Sequence, residues 1–202
     1  AWTLDEASGQ YYLHLFLPEQ PDLNWRNPAV RSEFEKILRF WLDRGVDGFR
    51  IDVAHALIKD EQLRDNPMLM PLDGVTDASY RFICMDHRYD LTQPETLDIY
   101  RSWRHIVEPY DAVLIGETYV LDPADLAKML PGDGLHIGFW FTPMHMEWEA
   151  GAIRRTLSAA TEAVPAGVGW VQSSHDESRP VARYGGGDLG RRRSLGLSVL
   201  MM

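Results

Sequence analysis

The run Gly45 to Ile58, GVDGFRIDVAHALI, limits the folds open to this chain more than any other stretch. Val46, Phe49, Ile51 and Val53 are bulky and β-favouring, with Gly45 and Gly48 punctuating them, which predicts a short buried strand rather than a helix. Two places apart on a strand, Arg50 and Asp52 project from the same face. A permanent cation beside a carboxylate at the end of a buried strand costs desolvation energy unless the pair has work to do. The cation also favours the ionised carboxylate, the form a nucleophile requires. An isolated Arg-x-Asp would read as a structural ion pair opening the next helix. Two further apolar stretches that end in carboxylates count against that here: VLIGETY, centred on Glu117, and WVQSSHDESR, centred on Asp176.

Residues 1–27 are aromatic, polar and proline-punctuated without a sustained helical period; Tyr11 to Leu17 alternates loosely and is a candidate strand. Asn27-Pro28 marks a helix start, with Asn as N-cap and Pro in the first turn. Val30, Phe34, Ile37, Leu38, Trp41 and Leu42 then share one helical face, and Gly45 ends the helix. From Lys59 to Leu91 the chain is irregular and rich in Asp, Pro and Met, a length that marks a functional loop inside a compact domain. Asp86, His87 and Asp90 in it match no standard metal-ligand spacing, and we read them as surface polar residues. Thr92-Gln-Pro-Glu95 has the form of a capping box for the next helix. Further strands are expected over Ala112 to Gly116, Leu135 to Phe141 and Gly167 to Gln172. Helices are expected from Asp122-Pro123 through Leu130, across Ile153 to Val164, and from Arg191 onward. Four strands alternating with helices make the fold class α/β.

Formal net charge is −10, from 30 acidic and 20 basic residues, which argues against nucleic acid or an anionic membrane as partner. A neutral sugar is compatible with that charge, although the charge does not select one. The single cysteine, Cys84, excludes an intrachain disulfide and fits a reducing compartment, so a cytoplasmic location is expected. No apolar run approaches the roughly 18 residues of a membrane span.

Taken together, DGFRIDVAH, the Gly116-Glu117 pair and the His175-Asp176 pair resemble the conserved regions of the α-amylase superfamily, glycoside hydrolase family 13. QPDLNW, Gln20 to Trp25, resembles that family's α-glucosidase and oligo-1,6-glucosidase branch. The three motifs stand in the family's order, and the resemblance covers nearly the whole chain. It implies a (β/α)8 TIM barrel, of which 202 residues hold a part, about strands four to seven with their helices. It places residues 1–27 at the end of a small domain inserted after the third barrel strand, and residues 28–202 in the catalytic barrel. A chain that opens at Ala1 and stops inside an apolar run at Met201-Met202 is expected to be an internal segment of a longer enzyme. A barrel averages roughly 30 residues per strand–helix unit. The interval from Glu117 to Asp176 fits two such units, and that from Asp52 to Glu117 fits one unit plus the long loop. All three carboxylates are then expected at C-terminal strand ends on one rim.

The resemblance also implies roles. Asp52 is the expected nucleophile, with Arg50 beside it, and Glu117 the expected acid/base, its carboxyl pushed up by an apolar setting and neighbouring carboxylates. Asp176 would stabilise the charge developing on the sugar ring, His175 would bind sugar hydroxyls, and Arg179 would support them. No cofactor or metal is expected. Two carboxyl groups about 5–5.5 Å apart cleave a glycosidic bond with retention, through a covalent glycosyl intermediate. The expected substrate is a small α-glucoside or oligosaccharide. Val53 resembles the choice made by α-1,6-acting members, although other branches break that correlation. Two features depart from the family: Ser174 stands where Asn is usual, and the first conserved region, with an Asp and a His, is not among these residues. The isolated segment is therefore expected to be inactive. The alternatives are a glucosyl-transferring or isomerising relative, of trehalose synthase type, and a non-catalytic sugar-binding module on the same fold. Retention of all three acids counts against the last.

Overall fold

A computed structural model of the chain describes residues 2–74, 78–165 and 167–202. It opens with a hairpin of β1 (Trp2–Asp5) and β2 (Gln10–Leu13), antiparallel and in the register Trp2 to Leu13. The strand expected over Tyr11 to Leu17 stops at Leu13, because polar side chains draw the next residues off the ladder. The His14 ring bonds Thr3 Oγ1 and Phe16 O, each at 3.0 Å, and the Leu15 N–H donates to Asp22 Oδ2 at 2.8 Å.

Helix α1 (Pro28–Leu42) begins as expected, with Asn27 Oδ1 accepting from the Ala29 N–H at 2.9 Å. After the helix, Gly45 turns the chain at φ +87°, a conformation glycine adopts without strain. Only part of the expected apolar face is covered. Leu38 and Leu42 are buried, whereas Ile37 and Trp41 remain 40% and 47% exposed. The stripe on α1 is wider than the surface offered by its neighbour α3 (Pro94–Val107), which meets it through Trp25, Phe34 and Trp103.

The centre is a sheet of four parallel strands in sequence order: β3 (Gly48–Ile51), β4 (Val113–Gly116), β5 (Ile137–Trp140) and β6 (Val168–Trp170). Parallel neighbours need crossovers. These are α3, then α4 (Pro123–Met129), then α5 (Ala150–Ala163). Asp122 caps α4 through the Ala124 N–H at 2.8 Å, and Glu149 caps α5 through Gly151 and Ala152. The core between sheet and helices holds Ile51, Ile99, Tyr100, Val107, Leu114 and Leu135, and each such large side chain contributes about 1.5–3 kcal/mol by leaving water. Among the described residues β3 and β6 are the sheet's open edges.

Two further expectations at helix starts need correction. Thr92 is not an N-cap: α3 is preceded by Gln93, and no side chain caps it. Thr92 sits at φ +48° with its N–H donating to His55 O at 2.7 Å, while Glu95 is drawn to Arg26 at 3.0 Å. Both partners of the box are thus engaged elsewhere. The last helix, α7 (Gly187–Leu200), opens one turn before Arg191. It follows the short α6 (Pro180–Arg183), and a Cβ on Gly190 would lie 2.0 Å from Val181 O, so only glycine permits that approach. The long segment from Lys59 to Leu91 contains α2 (Ala78–Ile83), and residues 75–77 of it lie outside the described residues. Its ends are tied together by Asp60 N–H donating to Tyr89 O at 2.7 Å.

Candidate active site

Asp52 and Glu117 each follow immediately after a parallel strand, β3 and β4, whose register sets Ile51 beside Gly116. The next residues along both strands therefore emerge side by side at the C-terminal end of the sheet. Arg50, two before Asp52 on the same face, reaches both acids. One arm of its guanidinium pairs with Asp52 Oδ1, and Nη2 lies 2.8 Å from Glu117 Oε1. The sequence foresaw the first pair but not the second, which joins residues far apart in the chain.

The two carboxylates differ in their surroundings. The Asp52 side chain is 75% exposed and the Glu117 side chain 13%. Burial is the largest cause holding Glu117 above the usual carboxylate range. The Val53 N–H, 3.0 Å from Oε2, and Arg50 oppose that rise, whereas the neighbouring Asp52 carboxylate adds to it. The backbone of Glu117 is fixed as well: its N–H donates to Ile51 O and its carbonyl accepts from Ala54 N–H, both at 2.9 Å. Val53, between these contacts, lies at φ +45°, ψ +42°, a strained conformation for a β-branched residue.

Asp176 lies in the loop after β6, at the same end of the sheet. Its N–H donates to Ser174 Oγ at 3.2 Å, His175 Nε2 is 3.4 Å from its Oδ2, and Arg179 Nη1 donates to Ser174 O at 3.4 Å. His175 and Asp176 are 76% and 66% exposed. Arg50, Asp52 and Glu117 thus form one group of direct contacts, and Ser174, His175, Asp176 and Arg179 form another. A link between the two loops comes from residues that the sequence did not single out. Tyr119 OH is 2.9 Å from His145 Nε2, which is 3.7 Å from Glu177 Oε1. Tyr119 is two places after Glu117, a spacing that strand periodicity alone could have flagged; nothing in the sequence marked His145.

A cavity of about 840 Å³ opens between the long segment and the β4–α4 turn, lined by Phe82, His87, Thr92, Tyr119, Asp122 and Met129 among others. None of the three acids lines it; Tyr119, two places after Glu117, does. Within the long segment Asp86 faces Arg88, and His87 bonds Asp90 at 3.0 Å. Among the described residues no group of three or more His, Cys, Asp or Glu side chains gathers around a metal-sized position.

The model of the alpha-amylase catalytic domain matches residues 1–202. An alpha-glucosidase of Schizosaccharomyces pombe is 35% identical over 202 residues, covering 91% of this chain and 34% of that protein. An oligo-1,6-glucosidase of Parageobacillus thermoglucosidasius is 32% identical over 202 residues, covering 92% and 34%. The chain spans about a third of the length of these curated relatives. Among solved structures, an alpha-glucosyl transfer enzyme superposes with a TM-score of 0.84 at 38% identity, covering 94% of this chain and 36% of that one. The four parallel strands and their crossover helices are part of a (β/α)8 barrel, and the chain belongs to the alpha-amylase family, within its catalytic domain.

Proposed function

We propose that the protein is a retaining α-glycoside hydrolase acting on α-glucosidic bonds of short oligosaccharides. The observation that carries this reading is the shared guanidinium of Arg50, which sets an exposed and a covered carboxyl group side by side at adjacent strand ends. Retention needs two acids close enough for direct attack on the sugar, about 5–5.5 Å apart, and not separated by a water. That both acids reach one guanidinium from adjacent strand ends supports that spacing. Asp52, exposed and facing a permanent cation, attacks the anomeric carbon. Glu117, held above the usual range by burial, keeps the proton that the leaving oxygen takes, then deprotonates the water that releases the sugar. Asp176 and His175 bind ring hydroxyls and the developing positive charge, and Arg179 supports their loop.

We assign residues 1–27 to the end of an inserted small domain and residues 28–202 to the barrel. The open edges at β3 and β6 support placing the activity in a protein that completes the sheet. A cytoplasmic location, read from the lone buried Cys84, is part of the same proposal. No helix among the described residues is long and apolar enough to cross a membrane.

The test is to incubate the full-length protein with a fluorinated α-glucosyl fluoride that forms but slowly hydrolyses the glycosyl intermediate. Mass spectrometry should find the sugar on the peptide containing Asp52; a label on another residue, or none with the enzyme turning over, would refute the assignment. The similarity to an alpha-glucosyl transfer enzyme favours one second reading, in which a sugar and not water accepts the glucosyl group. Products from maltose separate the two, since transfer yields longer or rearranged sugars and hydrolysis yields glucose.

A further inference from the structure

His55 is buried beside the site, and the chemistry proposed above leaves it idle. It lies in the 3-10 turn Ala54–Ala56 that follows Val53, and is 5% exposed. Its Nδ1 is 3.2 Å from Glu117 O and 3.2 Å from Tyr119 N. Those two atoms belong to the peptide groups on either side of Thr118, whose Oγ1 donates to Phe139 O at 2.6 Å. We propose that His55 is a positioning residue whose ring clamps the Glu117–Tyr119 backbone and thereby fixes where the Glu117 carboxyl presents its proton. The inference rests on the reading of Glu117 as the acid/base.

A neutral imidazole carries one bare nitrogen and one N–H. With Nδ1 bare the ring accepts from the Tyr119 N–H; with Nδ1 protonated it donates to the Glu117 carbonyl. Either neutral form binds this backbone, and the imidazolium cannot accept from Tyr119. Burial holds the ring's value down at about 4, against the Glu117 carbonyl and Asp90, which favour the charged form; His87 and Lys59, also facing it, disfavour that form. The ring therefore stays neutral at ordinary working pH. The turn that carries it touches the acid's residue at further points, through Val53 N–H on Oε2 and Ala54 N–H on the carbonyl. His55 is thus the side-chain member of a three-residue cradle around Glu117. In the step that breaks the glycosidic bond, which kcat/KM reports, a misplaced acid slows only those substrates that need a proton delivered to the leaving oxygen, and a shift of about 1 Å can cost about a hundredfold.

The experiment uses H55Q, H55L and H55N in the full-length protein, with maltose as the poor leaving group and 2,4-dinitrophenyl α-glucoside as the good one. Asn places an amide where Nδ1 stands, Gln reaches past it, and Leu offers no polar atom. H55Q and H55L should lose about 10- to 100-fold in kcat/KM on maltose with little change in kcat/KM on the dinitrophenyl substrate, and H55N should recover most of the loss. If H55L does not fold, the H55Q and H55N pair decides. E117Q is measured alongside: a kcat/KM that responds alike to both leaving groups in E117Q overturns the acid/base reading itself. A selective E117Q with an H55Q that slows both substrates alike, or neither, overturns the role of His55 alone.

Discussion

Gly48 lies on β3, four places before Asp52, and its backbone approaches Val113 of β4 so closely that a methyl group has no room. A Cβ built there meets Val113 O at 2.5 Å, Val113 N at 3.1 Å and Val113 C at 3.2 Å. All three are backbone atoms, so relief requires the two strands to part. Restoring an ordinary contact needs ~0.5–0.9 Å of separation in a close-packed interior. The adjacent Val113 N–H to Asp47 O bond, now 3.0 Å, would stretch past useful hydrogen-bonding range. Losing it costs ~1 kcal/mol, and overpacking adds ~1–3 kcal/mol, so G48A should destabilise by ~2–4 kcal/mol. At ~2–4 °C per kcal/mol for a chain of this size, the melting temperature should fall by ~4–16 °C. The control is G132A, where an added Cβ meets nothing within 4 Å and the change should stay within ~0.5 kcal/mol. Melting followed by circular dichroism compares the two. If G48A and G132A melt together, the close approach of β3 and β4 does not explain the glycine.

Two other outcomes follow from the ionisable groups. Glu117 is held above the usual range, mainly by burial, so its contribution to stability is full below the unfolded value and lost as pH rises through the folded one. E117Q, neutral throughout, should lose its activity on maltose yet melt above the parent protein at pH 7, with the margin closing below about pH 4.3; a lower melting point at pH 7 would mean that Arg50 and the Val53 N–H outweigh burial. His55 has the opposite sign. The unfolded ring takes a proton near pH 6.5 and the folded ring only at about 4, so the parent should lose ~3 kcal/mol relative to H55N between those values. Urea denaturation of both proteins across that range measures the difference, and parallel curves would show that His55 is not held neutral.

Local chemistry was legible in the sequence where both partners of a contact lie within a turn of one another. Asn27 and Asp122 cap their helices as their Pro-following positions suggest, because the acceptor and the N–H it satisfies are two residues apart. The same logic failed at Thr92, since its N–H is claimed by His55 and Glu95 by Arg26, contacts that only the fold creates. The face of α1 was read correctly as apolar, but periodicity does not say how wide a neighbour will cover it, and Ile37 and Trp41 stay open. At the site, the Arg50–Asp52 pair followed from strand alternation. The pair Arg50–Glu117, the ring of His55 and the Tyr119–His145–Glu177 link all cross between strand ends, and no spacing along the chain encodes them.

Asp52 and Glu117 share a cation, so the cation does not separate their roles; water does. An exposed carboxylate keeps its hydration and bears its charge at little cost, whereas a covered one bears it at a cost that neighbouring donors only partly offset. The turn beginning at Val53 holds Glu117, through Val53 N–H on Oε2 and Ala54 N–H on the carbonyl. A β-branched residue in the left-handed region costs ~1–3 kcal/mol, and such a conformation persists only when its surroundings enforce it. Here they do: Ala54 is fully buried, its N–H is held by Glu117 O, and its carbonyl accepts from the hydroxyl of Tyr100, itself fully buried on α3. The crossover helix thus holds the turn, the turn holds the covered acid while Asp52 stays exposed, and two like side chains one strand apart acquire unlike chemistry.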